Sequence, residues 1–120
     1  MTIILYGIPN CDTVKKARVW LEGRGIAYAF HDYKRAGTDA GRIAGWIEQA
    51  GWEKVLNRAG TTFRKLPGAD REGLDAAKAV RVMAANPSCI KRPIVEYPDG
   101  TLAGGLLVGF KLDEWEAGLP

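Results

Sequence analysis

The sequence is poor in the residues from which disulfide scaffolds and metal sites are made, with two cysteines and one histidine in 120 residues. Two cysteines are too few for a secreted disulfide scaffold. Together with the single histidine, His31, they match no zinc-ligand spacing, so no metal is expected. His31 itself reads as a surface or partly packed strand residue. No apolar run approaches the ~18 residues of a membrane helix. Gly-x-Gly-x-x-Gly and Walker-type phosphate loops are also missing. Charge of one sign is scarce: 17 basic against 14 acidic residues give a net charge of +3. The basic pairs Lys15–Lys16, Lys34–Arg35, Arg64–Lys65 and Lys91–Arg92 are scattered and not interleaved with stacking aromatics. Nucleic acid and membrane are therefore not expected as partners, and an anionic small molecule stays open. The first residues, Met1-Thr2-Ile3-Ile4-Leu5-Tyr6, lack a basic region and a small-residue cleavage site and read as a strand. A cytoplasmic location is expected, where a lone cysteine is more often chemical than structural.

What is present is ordinary globular material, 47% hydrophobic and 26% charged, and it predicts one domain over residues 1–120. Ile3 to Tyr6 is a β-branched and apolar run closed by the turn-rich Gly7-Ile8-Pro9-Asn10. A helix follows with Val14, Ala17 and Leu21 on its inner face, ended by Gly23 and Gly25. Ile26 to Tyr33 reads as a second strand, which completes a parallel βαβ unit. In the middle, Asp39 to Ala50 sets Ile43, Trp46, Ile47 and Ala50 at helical spacing. Trp52 to Leu56 suits a further short helix, whereas Thr61 to Leu66 is too polar and short to assign. A helix from about Asp70 to Ala85 is expected to bury Leu74, Ala77, Val80 and Ala84. Pro93 to Tyr97, the Pro98-Asp99-Gly100 turn and Thr101-Leu102-Ala103 read as a hairpin. Gly104, Gly105 and Gly109 predict a loose stretch, and Leu112 to Ala117 a terminal helix. The four tryptophans read mainly as core.

Cys11 follows a turn and opens a helix, where free N–H groups and the helix dipole favour a thiolate. Lys15 and Lys16 add to this, and Asp12 opposes it if its carboxylate points at the sulfur. Position 14 is Val14, so there is no Cys-x-x-Cys pair. Cys89, just before a strand, suits a small apolar residue, and whether it can bridge to Cys11 depends on distances. Arg92 beside Pro93 offers a bidentate clamp for an oxyanion or carboxylate, or a solvated end to a strand, and the Arg92–Pro93 bond is a candidate cis peptide. Arg58 and Arg64 flank Gly60-Thr61-Thr62 and either face the same pocket or lie on the surface.

Ile8-Pro9-Asn10-Cys11-Asp12-Thr13 after a first strand resembles the active-site loop of the ArsC/Spx/YffB, arsenate-reductase-like, family. Leu56-Asn57-Arg58, Gly60-Thr61-Thr62-Phe63-Arg64-Lys65-Leu66, Asn86-Pro87-Ser88-Cys89-Ile90-Lys91-Arg92-Pro93-Ile94 and Val108-Gly109-Phe110 are similar to its later motifs, in the same order. The resemblance implies an α/β, thioredoxin-like fold with a four-stranded mixed sheet. Its core would span about residues 1–36 and 87–120, and a helical insertion about 37–86. It implies Cys11 as the redox thiol, Asn10 and Thr13 as shapers of its loop, and Pro93 as the proline facing it. Arg58 and Arg92 match two of three oxyanion-binding arginines of arsenate reductases. Where the third is expected the chain has Ala103-Gly104-Gly105-Leu106, and losing one charge-assisted contact weakens oxyanion binding by about 1.5–3 kcal/mol. Val14 likewise removes the Cys-x-x-Cys switch typical of Spx regulators. The YffB-type branch then implies a monomeric, glutathione-dependent thiol/disulfide reductase with no bound cofactor. Glutathione is the co-substrate, its carboxylates suited to Arg58, Arg92 and Arg64. An arsenate reductase with an incomplete arginine clamp and an Spx-like regulator binding RNA polymerase are the alternatives.

Overall fold

A computed structural model describes residues 2–98 and 104–119. The chain divides into two compact units, one formed by Met1–Ala36 with Arg92–Pro120 and the other by Gly37–Lys91.

The first unit is built on a sheet. Strand β1 (Ile4–Gly7) leads into helix α1 (Asp12–Gly23), strand β2 (Ala29–Asp32) and the single turn α2 (Tyr33–Ala36). After the second unit come β3 (Ile94–Tyr97), β4 (Gly105–Val108) and a last helix. The strand order is β2-β1-β3-β4, with β1 and β2 parallel and the other pairs antiparallel. This α/β arrangement with a mixed sheet is the thioredoxin-like fold. The expected inner face of α1 is the one observed: Val14, Ala17 and Leu21 pack with Leu5, Val95 and Leu107 of the sheet. Spacing of three and four residues puts them on one stripe, and burying each large side chain contributes about 1.5–3 kcal/mol. Trp115 and Leu119 complete this core.

Two expectations about this unit are corrected. The second strand ends at Asp32, because the Asp32 carboxylate accepts the Lys34 N–H at 3.1 Å and starts a helical turn at Tyr33. The stretch expected to be loose contains β4, whose Gly105 pairs with Tyr97. A Cβ on Gly105 would lie 2.2 Å from Tyr97 Cζ, so the missing side chain is what lets the tyrosine ring cover the strand. The predicted Asp99-Gly100 turn and Thr101-Leu102-Ala103 strand lie outside the described residues.

The second unit is helical: α3 (Ala40–Ala50), α4 (Trp52–Val55), α5 (Thr61–Arg64), α6 (Gly68–Arg71) and α7 (Ala76–Ala85), followed by a 3-10 turn over Pro87–Cys89. The terminal helix of the first unit is α8 (Leu112–Gly118). Asp39 caps α3 by accepting the Arg42 N–H at 3.2 Å, and Ile43, Trp46 and Ile47 turn inward as expected. The long helix expected from Asp70 is divided. Gly73 adopts φ 59°, and Asp75 caps α7 by accepting the Lys78 N–H at 2.8 Å. With the start moved, the buried residues are Ala79, Val82 and Met83, while Ala77 is exposed and Leu74, Val80 and Ala84 are half-buried. The inner stripe is therefore shifted from the expected Leu74, Ala77, Val80 and Ala84, as the capped start at Asp75 sets which face of this alanine-rich helix turns inward. Among the described residues no helix is long and apolar enough to cross a membrane.

Candidate active site

Strand register gathers the site. Gly7 at the end of β1 is level with Asp32 at the end of β2, and Tyr6 is level with Ile94 at the start of β3. The loop carrying Cys11, the turn at Tyr33 and the approach to β3 at Arg92–Pro93 therefore share one end of the sheet. Gly7 brings β1 against α1 so closely that a Cβ there would lie 2.9 Å from Val14 Cγ2. The helix bearing the thiol is thus seated directly on the strand end.

Cys11 is the N-cap residue of α1, with φ −116° and ψ 123°. It is half-buried and in no disulfide. Its side chain closes no regular capping hydrogen bond, as expected for sulfur, a weak acceptor, but the first N–H groups of α1 lie near enough to act on its ionisation. Burial is the largest single influence and pushes the thiol up, but the Val14 N–H, the Arg92 guanidinium and the Thr13 N–H together outweigh it. The net effect holds Cys11 below the ordinary thiol range. Two features that lower a cysteine pKa, a helix N-terminus and a neighbouring arginine, thus act on one sulfur. The cation concerned is Arg92; Lys15 and Lys16 point to solvent.

Arg92 is half-buried and precedes a cis bond to the buried Pro93. Its guanidinium hydrogen-bonds both Cys11 and the Tyr33 hydroxyl. Tyr33 is fully buried at 0% exposure. Burial drives its phenol far above the ordinary range despite Arg92, with Cys11 and Asp32 adding to the rise, so the hydroxyl stays protonated. Sequence reasoning took Tyr33 only as the last residue of a strand. The parallel βαβ reading held the missing signal, because residues just past the carboxyl ends of two adjacent parallel strands lie side by side.

The structure therefore brings Cys11, Thr13 and Arg92 together, all in the first unit, with Pro93 following Arg92 across the cis bond. Asn10 is in the same loop and exposed. Arg58 and Arg64 belong to the second unit and are exposed, Arg58 with its guanidinium carbon 5.3 Å from the centre of the Trp52 ring. The segment before Arg58 is anchored by the Leu56–Ile90 bridge and by the Asn57 N–H donating to the Cys89 carbonyl at 2.7 Å. Cys89 is 1% exposed within that packing. The stretch where the resemblance places a third arginine reads Ala103-Gly104-Gly105-Leu106 and carries none. The Val108-Gly109-Phe110 segment builds core: Trp115 Nε1 donates to the Gly109 carbonyl at 3.0 Å, and the Phe110 ring meets Trp115 edge-on at 4.8 Å. His31 is half-buried with its ring centre 4.9 Å from that of Tyr6. Among the described residues no three or more His, Cys, Asp or Glu side chains group as a metal site.

Comparison with known proteins matches the ArsC family model to residues 6–118. An uncharacterized protein of Haemophilus influenzae is 40% identical over 115 residues, covering 96% of each chain. The global transcriptional regulator Spx of Streptococcus mutans is 26% identical over 98% of this chain and 83% of its own. Among solved structures, a YffB protein is 52% identical with a TM-score of 0.90, covering 99% of this chain and 100% of that one. An arsenate reductase (ArsC) related protein of Brucella melitensis is 51% identical with a TM-score of 0.73, covering 98% of this chain and 93% of that one.

Proposed function

The chain belongs to the ArsC family, and from that premise we propose that it is a glutathione-dependent thiol/disulfide reductase working through the single thiolate of Cys11. The observation that carries this reading is the sulfur at the start of α1 with the Arg92 guanidinium beside it. A thiolate at neutral pH is the species that attacks disulfides. Position 14 is occupied by Val14, so the resolving thiol in this reading comes from solution.

The substrate is a mixed disulfide of glutathione with another thiol. Cys11 Sγ attacks the glutathione sulfur; that S–S bond breaks, and the other thiolate leaves and takes a proton from water. A second glutathione thiolate then attacks the glutathione sulfur bound to Cys11. Glutathione disulfide departs and the Cys11 thiolate is restored. Each turnover consumes one glutathione, which supplies the electrons, and yields one free thiol and one glutathione disulfide. Arg92 steadies Cys11 as attacking and leaving group and offers a cation for a glutathione carboxylate. Asn10 and Thr13 shape the loop, and Pro93 faces the sulfur.

The test is turnover of the mixed disulfide of glutathione and 2-mercaptoethanol, with glutathione disulfide followed through glutathione reductase. Turnover lost in Cys11→Ser and kept in Cys89→Ser is the expected result. A wild-type protein without turnover overturns the reading. Arsenate-dependent consumption of glutathione instead would point to an arsenate reductase, and co-elution with RNA polymerase without turnover to an Spx-like regulator.

A further inference from the structure

We propose that Tyr33 is a positioning residue: its buried hydroxyl accepts from the Arg92 guanidinium and holds that guanidinium against Cys11 Sγ. The inference deepens the reading of Cys11 as the nucleophile and rests on it.

An arginine is a poor fixed donor unless something fixes it. Its side chain is long, ordering it costs rotamer entropy, and a half-buried guanidinium can turn its donors to water. Tyr33 is the opposite kind of group. Its ring has two rotatable bonds and is fully buried. It is the first residue of α2, directly after Asp32, whose carboxylate accepts the Lys34 and Arg35 N–H groups at 3.1 and 3.4 Å. The register of β1, β2 and β3 fixes the distance across which it works: Asp32 opposite Gly7, and Ile94 opposite Tyr6. The hydroxyl is thus presented by three paired strands to the one arginine that also hydrogen-bonds the sulfur. The charged or titratable groups acting on Tyr33 are Arg92, Cys11 and Asp32, and Arg92 is the cation acting on Cys11. Because the hydroxyl stays protonated, it is a neutral acceptor that does not compete for the arginine's charge as a carboxylate would. The sulfur keeps that charge.

A tyrosine that only filled the core would influence stability and leave the sulfur's ionisation alone. Tyr33→Phe keeps the ring and removes the acceptor, and circular dichroism checks its fold. The readout is the pH profile of Cys11 alkylation by iodoacetamide, measured without glutathione so that it stands apart from turnover. The expected result is a profile displaced to higher pH, with a thiolate fraction about two- to threefold lower at a fixed pH below the midpoint, the size of a weakened hydrogen bond. In an Arg92→Ala background, Tyr33→Phe should cause no further displacement. A Tyr33→Phe profile that coincides with wild type or moves to lower pH overturns the proposal, as does an equal displacement with and without Arg92. Loss of mixed-disulfide turnover in the wild type, with these displacements intact, would instead count against glutathione as the co-substrate.

Discussion

Arg92→Ala is the perturbation that bears hardest on the site. In the native protein burial opposes the Cys11 thiolate more strongly than any single group favours it, and Arg92 acts on the sulfur both by hydrogen bond and by charge. Removing Arg92 leaves the Val14 and Thr13 N–H groups to oppose burial alone. A charge-assisted hydrogen bond contributes about 1.5–3 kcal/mol. Both partners here are half-buried, and solvent screening reduces the contribution to about 1 kcal/mol. That corresponds to an about fivefold fall in thiolate fraction below the midpoint. The alkylation rate at one pH falls less, roughly two- to threefold, because a thiolate of higher pKa is the stronger nucleophile and recovers about half of the loss on a logarithmic scale. The decisive assay is therefore the full pH titration of thiolate absorbance, taken as the difference from Cys11→Ser. Its midpoint should rise in Arg92→Ala and rise less in Arg92→Lys, which keeps the charge but not the planar fork. A midpoint that stays in place or falls in Arg92→Ala would refute the assignment of Arg92 to the sulfur.

The same ionisation predicts how stability depends on pH. The folded thiol lies below its unfolded value, so the unfolded state binds more protons between the two. Stability relative to Cys11→Ser should rise with pH through that window and be lost as pH falls through the folded value; urea melts of both proteins across neutral to mildly alkaline pH check the sign. Asp75→Ala removes the cap of α7 and should cost about 1 kcal/mol in a urea melt, with Asp75→Asn close to wild type. Trp115→Ala should cost about 3–5 kcal/mol, because the indole is fully buried, hydrogen-bonded to Gly109 and packed edge-on against Trp20 and Phe110.

Part of this arrangement is written in the local sequence. Helix α1 and the place of Cys11 at its start were legible because a turn-rich Ile8-Pro9-Asn10 before an apolar stripe at Val14, Ala17 and Leu21 admits one local structure. The parallel pairing of the first two strands and the thioredoxin-like fold followed from the βαβ unit and the family motifs. Where reading failed, long-range pairing or a cap made the decision. The stripe of α7 was misplaced because Gly73 and the Asp75 cap set where this alanine-rich helix starts and so which face turns inward. Strand β4 was missed because Gly105 is a weak strand former by itself, and its partner Tyr97 supplies the packing from across the sheet. Tyr33 was overlooked because its partner Arg92 is far along the chain, and only the register brings them together.

The central claim is that Cys11 is a lone thiolate resolved by external glutathione. Intact mass after exposure to glutathione disulfide tests it most directly, comparing wild type, Cys11→Ser and Cys89→Ser. The account predicts one glutathione adduct on wild type and on Cys89→Ser, none on Cys11→Ser, and removal of the adduct by added glutathione. An intramolecular disulfide in wild type that is absent from Cys89→Ser, or an adduct that persists in Cys11→Ser, would contradict it.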